Sequence, residues 1–226
     1  MRIGAAICIC EQDMGYLPQL LAEIGRLEVD VAWLANNCSE ASKAKLGRFK
    51  RTVGIYSYDG PFHNCLRQYP LDILKSAGYD WAIQWDADET WEPSAPKKLR
   101  KFLKDQALIQ VRMAHAWEKN GKDYLTTDWA AERDRIYNLK YRWVYTQRVV
   151  AGATCLDGEV EVSQINLWMI HWGYSTDKKR QQHKVRWNLN HGNSVGKNPY
   201  GMWDTITQEG YEPKLEGFES FISKLK

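Results

Sequence analysis

Three short apolar runs, each stopping at a polar cluster, set the limits on how this chain can fold. Ile3 to Cys10, Val29 to Leu34 and Trp81 to Trp85 give way to Glu11-Gln12-Asp13, Asn36-Asn37-Cys38-Ser39 and Asp86-Ala87-Asp88-Glu89. A run of this length without polar alternation marks a strand buried on both faces, which requires helices on both sides of the sheet. The intervening segments supply them. Leu17, Leu20, Leu21, Ile24 and Leu27 recur at helical spacing, and Glu40 to Lys50 and Pro70 to Ala77 are also helix-compatible, with a short strand near Thr52 to Tyr56 between them. This alternation predicts an α/β, Rossmann-like fold with a mostly parallel sheet flanked by helices. At 226 residues the chain fits one domain, residues 1–226. Ligands of such sheets bind beyond the carboxyl ends of the strands, so the three polar clusters are expected to converge.

The second half is less regular. Pro96 to Lys104 reads as a helix with Leu99, Phe102 and Leu103 inward and Lys97, Lys98, Arg100, Lys101 and Lys104 as a solvated basic face. Leu108 to Ala114 is strand-like, and Trp117 to Arg142 is irregular, aromatic and charged. Further strands are expected at Tyr145 to Val150 and Gln164 to Trp172, a basic helix at Thr176 to Leu189, and a short helix within Glu216 to Leu225.

Composition narrows the class without naming it. Five cysteines, at 8, 10, 38, 65 and 155, are odd in number and lack a paired spacing, which argues against a disulfide framework and for a reducing compartment. No signal peptide precedes Ile3, because Glu11 soon interrupts the apolar stretch, and no uncharged stretch approaches membrane-spanning length. The expected location is cytoplasmic. A net charge of +3 is compatible with an anionic ligand and is no signature of nucleic-acid binding. Eleven Trp and twelve Tyr can fill cores or stack on sugars and bases.

Asp86-Ala87-Asp88 is the most informative cluster. Two carboxylates directly after an apolar strand concentrate negative charge, which a hard divalent cation relieves through oxygen ligands. Alone, the tripeptide reads as readily as an acidic strand-to-helix turn. Its place after Trp81-Ala82-Ile83-Gln84-Trp85 and two other strand-end clusters favours the metal–diphosphate reading, with the cation as a Lewis acid on the leaving diphosphate.

Here the sequence resembles the nucleotide-sugar-binding half of GT-A glycosyltransferases, close to the inverting family-2 type. The matching pieces are Ala6-Ile7-Cys8-Ile9-Cys10 with the helix from Leu17, Ala35-Asn36-Asn37-Cys38-Ser39, and Trp85-Asp86-Ala87-Asp88-Glu89. They cover roughly the first hundred residues. The resemblance implies a donor half, residues 1–92, and an acceptor and metal-completing half, residues 93–226. It implies that the first strand's loop, with Cys10 and Asp13, and the second strand's end at Asn36 cradle the nucleobase and ribose of a nucleotide-sugar donor, a UDP-sugar. The family often has Asp where this chain has Asn36, and an amide both donates to and accepts from a base edge. By the same resemblance Asp86 lies near the ribose and metal, Asp88 ligates Mn2+ or Mg2+, and Arg67 occupies a position often polar or basic.

Downstream, His171 ends an apolar strand and is the candidate third metal ligand; a satisfied semi-buried histidine is the equal alternative. Lys178, Lys179, Arg180, His183, Lys184 and Arg186 form a basic stretch in which Lys184 is the candidate diphosphate contact, against a solvated helix face. An inverting transfer needs a base to take the acceptor's proton. Asp128 and Glu161 are equal candidates. The expected function is metal-dependent transfer of a sugar to a hydroxyl acceptor, a carbohydrate or lipid-linked sugar. Two alternatives stand beside it: transfer to a hydroxymethylated base in phage-type DNA, which would be flipped out for attack, and a non-catalytic nucleotide- or carbohydrate-binding module of the same fold.

Overall fold

Alternation of large and small residues in the first strand sets the two layers around the sheet. The computed structural model describes residues 1–104, 106–127, 132–145, 152–173 and 213–225. Its first part runs β1 (Ile3–Cys10), α1 (Leu17–Leu27), β2 (Asp30–Asn36), α2 (Glu40–Gly47), β3 (Thr52–Tyr58), α3 (Gln68–Ser76), β4 (Trp81–Asp86), β5 (Glu89–Trp91) and α4 (Ala95–Phe102). There follow β6 (Leu108–Lys119), β7 (Lys122–Thr126), β8 (Glu132–Asn138), β9 (Trp143–Tyr145), β10 (Ala153–Cys155), β11 (Val162–His171), β12 (Glu216–Gly217) and α5 (Phe218–Lys224).

Ile3, Ile7 and Ile9 of β1 pack with Trp33, Ile83 and Trp85 under Leu20, Ile24 and Leu27 of α1 and Leu99 of α4. On the opposite face, Ala6, Ala32 and Ala82 lie against Leu71 and Leu74 of α3. Small residues on that face let α3 sit close. A Cβ on Gly4 would fall onto Leu74 Cδ2, and Leu74 is itself fully buried. Gly4→Ala is therefore expected to cost about 1–3 kcal/mol by overpacking, read as a lower urea midpoint at unchanged slope.

β4, β1, β2 and β3 are parallel neighbours in that order. β8 joins β4 antiparallel, β6 joins β8 antiparallel, and β11 lies parallel on the other side of β6. β7 pairs with β6, β12 with β7, and β5 leaves the β4 line to pair antiparallel with β11. One ten-stranded sheet thus runs through the described residues, with β9 and β10 as a separate ribbon. The parallel core with helices on both faces matches the α/β fold read from the sequence.

Two differences have clear causes. The stretch expected to be irregular from Trp117 holds a hairpin instead: β6 continues to Lys119 and turns through Asn120 (φ 55°) and Gly121 (φ 70°) into β7. Asn-Gly is the residue pair that a two-residue hairpin loop with positive φ prefers. On α4, Lys98 is not a solvated surface charge. Its Nζ lies 2.6 Å from Oε1 of Glu92, which is fully buried, and donates to Leu225 O. Burial of that carboxylate draws the lysine in, since a buried charge needs a partner. All five cysteines are free thiols. No described helix is long and apolar enough to cross a membrane.

Candidate active site

Register brings the strand ends together. Cys8 pairs with Asp86, Cys10 with Asn36, and Asn36 with Tyr58. Side chains alternate along a strand, so Cys8, Asn36, Gln84 and Asp86 share the α3 face with Ala6, Ala32 and Ala82.

The loops beyond these ends are tied to one another. Glu11 accepts from Ser39 N (2.8 Å) and Ser42 Oγ (3.0 Å), joining the loop after β1 to the start of α2, and these bonds hold its carboxyl below the usual range. Asn37, in the left-handed region at φ 50°, donates to Gly60 O and accepts from Gly60 N, both at 2.8 Å. Asp13 Oδ2 accepts from Cys10 N (3.1 Å) and Sγ (2.8 Å), closing the turn after β1. Asn36 is 7% exposed, and its Oδ1 has no partner among the described residues. A buried carbonyl oxygen in that condition suits a donor supplied by a ligand.

Beneath the loops lies a buried charge network. Arg67, in the 3-10 turn before α3, donates from Nη1 to Asp86 Oδ1 at 2.6 Å. Arg135 of β8 stands 2.5 Å from Glu89 Oε1 and 3.7 Å from Asp86 Oδ2. Gln84, with its amide oxygen toward the guanidiniums, accepts from both arginines and donates to Tyr145 Oη at 2.9 Å. Glu89 Oε2 accepts from Asp86 N at 3.0 Å. Burial opposes the charge on Asp86, yet Arg67 and Arg135 overcome it and hold the carboxyl below its ordinary value. For Glu89 burial wins over Arg135, pushing the carboxyl up to about 8. Burial likewise pushes the Cys8 thiol up to about 12, so it stays protonated.

Asp86 and Asp88 therefore face different partners. Asp88, 7% exposed, lies with Oδ2 3.3 Å from His171 Nε2, and its carbonyl accepts from Trp172 N at 2.7 Å. Backbone pairing fixes the approach, because Glu89 of β5 is opposite His171 of β11. Two ligands each about 2.1 Å from one ion sit roughly 3–3.4 Å apart, so this oxygen and nitrogen fit a shared divalent cation. Among the described residues no group of three or more His, Cys, Asp or Glu side chains is spaced to hold one.

The structure thus brings together Cys10, Asp13, Asn36, Arg67, Asp86, Asp88 and His171. It does not bring Glu161 with them. Glu161 is exposed just before β11, with its carbonyl on Leu108 N at the start of β6, whereas His171 closes the same strand. Ten residues at about 3.3 Å each put it roughly 30 Å away along the strand, which removes it as the base. Asp128 and Lys184, with the basic 178–186 stretch, lie outside the described residues. Sequence reasoning missed Arg135, His115 and Gln84 as members of the site and gave Glu89 no role beyond its place in the strand-end cluster. The one available signal was alternation in Glu132-Arg133-Asp134-Arg135, which places Arg133 and Arg135 on one face of a strand.

No protein-family model matches the chain, and no curated protein does. Among solved structures the chain is similar to S. aureus TarS 1-349, at TM-score 0.50 and 10% identity, covering 92% of this chain and 69% of that one. The same protein in complex with UDP-GlcNAc and in complex with UDP also matches at TM-score 0.50 and 10% identity, each over 92% of this chain and 70% of that one. Joined to the strand order above, this likeness gives the chain a GT-A-like fold.

Proposed function

We propose that this chain is a glycosyltransferase that takes a sugar from a nucleotide-diphosphate donor, a UDP-sugar, and passes it with inversion to a hydroxyl acceptor. The observation that carries the reading is the cluster at the carboxyl ends of β1, β2 and β4. There, a buried Asn36 amide oxygen without a partner among the described residues, the loop tied by Glu11, and the divergent pair Asp86 and Asp88 line one end of a GT-A-like sheet. The UDP-GlcNAc and UDP complexes of the TarS fold neighbour support the choice of donor.

In this reading Asn36 accepts from a base N–H and donates to a base carbonyl. The loop from Cys10 to Asp13 borders the ribose. Arg67 and Arg135 hold Asp86 ionised and in place, while Asp88 and His171 are the protein's ligands for Mn2+ or Mg2+. When bound, the cation neutralises charge building on the diphosphate as the glycosidic bond breaks. Lys184 is assigned to the same diphosphate. Asp128 is assigned as the base; it follows by two residues Thr126, whose strand position is opposite His115 at the rim of the site. A carbohydrate is the first acceptor to test, with hydroxymethylated DNA as the second arm.

A thermal-shift screen of nucleotide sugars with Mn2+ and with chelator tests the donor, followed by donor hydrolysis under both conditions. The expected result is stabilisation by uridine-diphosphate sugars and slow leakage of sugar to water that stops with chelator. No shift and no hydrolysis with any donor would favour a binding module instead. Asn36→Leu is expected to weaken the nucleotide about tenfold, near 1.4 kcal/mol, while leaving the unfolding midpoint within about 1 kcal/mol of the parent. Titration calorimetry with UDP checks it.

A further inference from the structure

The sheet ends at β3, and among the described residues β3 pairs with β2 alone. An edge strand presents a row of N–H and C=O groups, which folded proteins commonly guard with lysine, proline or an inward-pointing charge. Thr52-Val53-Gly54-Ile55-Tyr56-Ser57-Tyr58 has none of these. Its one guard is an extra residue, Val53, between the partners of Val31 and Ala32, which leaves Gly54 to Tyr58 regular. We propose that this edge pairs antiparallel with β3 of a second copy of the chain, about a two-fold axis at Ile55, and continues the sheet across a homodimer.

Backbone direction decides which residues can pair. Tyr58 O accepts from Asn37 N at 2.8 Å, so Tyr58 faces β2. Alternation turns Tyr56 and Gly54 the same way and Ile55 and Ser57 outward. With Ile55 on the axis, the two copies of Ile55 exchange both of their N–H···O=C bonds, and Tyr56 of each copy falls opposite Gly54 of the other. A ring set across from a glycine covers backbone that the glycine leaves bare. The same register fills a groove. Val53, Tyr56, Tyr69, Asp72, Ile73 and Ala77 line an open hollow of about 480 Å³ between β3 and α3. A Cβ on Gly54 would lie 3.0 Å from Ile73 Cγ2, so position 54 faces α3 and the incoming ring arrives at that hollow. Tyr56 stacks on Tyr69 with ring centroids 3.6 Å apart and planes within 6°, and Tyr69 is 42% exposed. The stacks of the two copies meet about the axis.

Charge selects both the register and the partner. Arg51 precedes the strand and Asp59 follows it, so pairing about Ile55 sets Arg51 of each copy at the Asp59 end of the other. Within one chain their ion pairs are long surface contacts, Arg51 with Asp30 at 3.5 Å and Asp59 with Lys43 at 3.7 Å, which are worth little in water. A slip of two residues loses both new contacts. An order of charges that is complementary to itself is what a two-fold contact between identical surfaces requires.

Sedimentation velocity of the whole chain over roughly 1–500 µM is expected to show a reversible dimer, twice the 26.3 kDa chain mass. Ser57→Pro removes an outward N–H and spares the bonds to β2, and is expected to give a monomer. Arg51→Glu and Asp59→Arg each set like charges together at both ends of the paired strands, and each is expected to weaken the dimer about tenfold. The double change Arg51→Glu with Asp59→Arg exchanges the signs and is expected to return the dimer to within a few-fold of the parent. Within one chain the two positions flank a seven-residue strand and lie roughly 25 Å apart, so a purely structural effect of either change gives no such rescue. Circular dichroism checks that each variant is folded. A parent that keeps one chain mass throughout overturns the proposal and leaves the groove to another occupant, a glycan or an unrelated protein. A dimer that survives Ser57→Pro and both single charge reversals overturns it too, as does a double variant no tighter than the singles. If Ser57→Pro does not fold, the charge exchange decides alone.

Discussion

Arg135→Ala is expected to destabilise the protein by about 3–5 kcal/mol, the cost of removing one member of a buried network of charged and hydrogen-bonded groups. Arg135 is 4% exposed and Glu89 2%. Removing the guanidinium takes the hydrogen-bond donor from Glu89 and leaves Asp86 with Arg67 as its cation among the described residues. Against a total stability of about 5–15 kcal/mol for a domain, that loss is large, and urea denaturation will read it directly. Arg135→Lys should fall between the two, because a single ammonium cannot reach Glu89, Asp86 and Gln84 together as a planar fork does. The double change Arg135→Met with Glu89→Gln should recover much of the loss, since Glu89 then carries no acid and Asp86 keeps Arg67. The cycle isolates the pair from the packing of the arginine stem. A cost below about 1 kcal/mol for Arg135→Ala would mean that the network does not carry its charge as the distances indicate.

Asp88→Ala should behave quite otherwise. The fold should hold while Mn2+-dependent affinity for the nucleotide sugar drops on the order of a hundredfold, about 2.7 kcal/mol. Asp86→Ala, at the end of β4 before the turn that carries Asp88, should mainly lower stability, because its oxygens face Arg67 and Arg135. Two aspartates in one tripeptide would then give separable defects, one in folding and one in metal use. Calorimetric titration of donor with and without Mn2+, run beside a denaturation curve for each variant, distinguishes them. An Asp88→Ala protein with unchanged donor affinity in Mn2+ would remove the metal role.

Much of the fold was legible because the first half is locally written. The apolar run from Ile3, the helical spacing from Leu17 and the short strand before Asp86 each carry their own signal, and the parallel register then brings Cys10, Asn36 and Asp86 to one end. The site was legible only in part. Asp86 and Asp88 read as one motif, yet pairing of β5 with β11 turns Asp88 toward His171 while Asp86 stays under β8. Nothing local reports that divergence, because the partners come from Arg135 and His171 far along the chain. His115 lies one residue past the strand-like run that ends at Ala114, and only the continuation of β6 to Lys119 sets it opposite His171. Glu161 looked close to His171 because both precede or end the same strand, but an extended chain separates its ends by its full length. Arg67 carries no local signal beyond the resemblance, and its ion pair with Asp86 is what draws it in.

The short strand β5 has a consequence for how the protein is made. Its three residues leave the line of β4 and take their pairing from β11, so the carboxylates between the two strands are held by both ends of the chain's order of synthesis. A ribosome that has released β4 has supplied the four parallel strands, but Glu89 has neither Arg135 nor the backbone of His171 to meet it. Until β8 and β11 emerge, Asp86, Asp88 and Glu89 remain a cluster of acids with Arg67 as their nearby cation. The nascent first half thus carries excess negative charge at that corner, and closure of β11 onto β6 and β5 is the step that sets the backbone of His171 against Glu89.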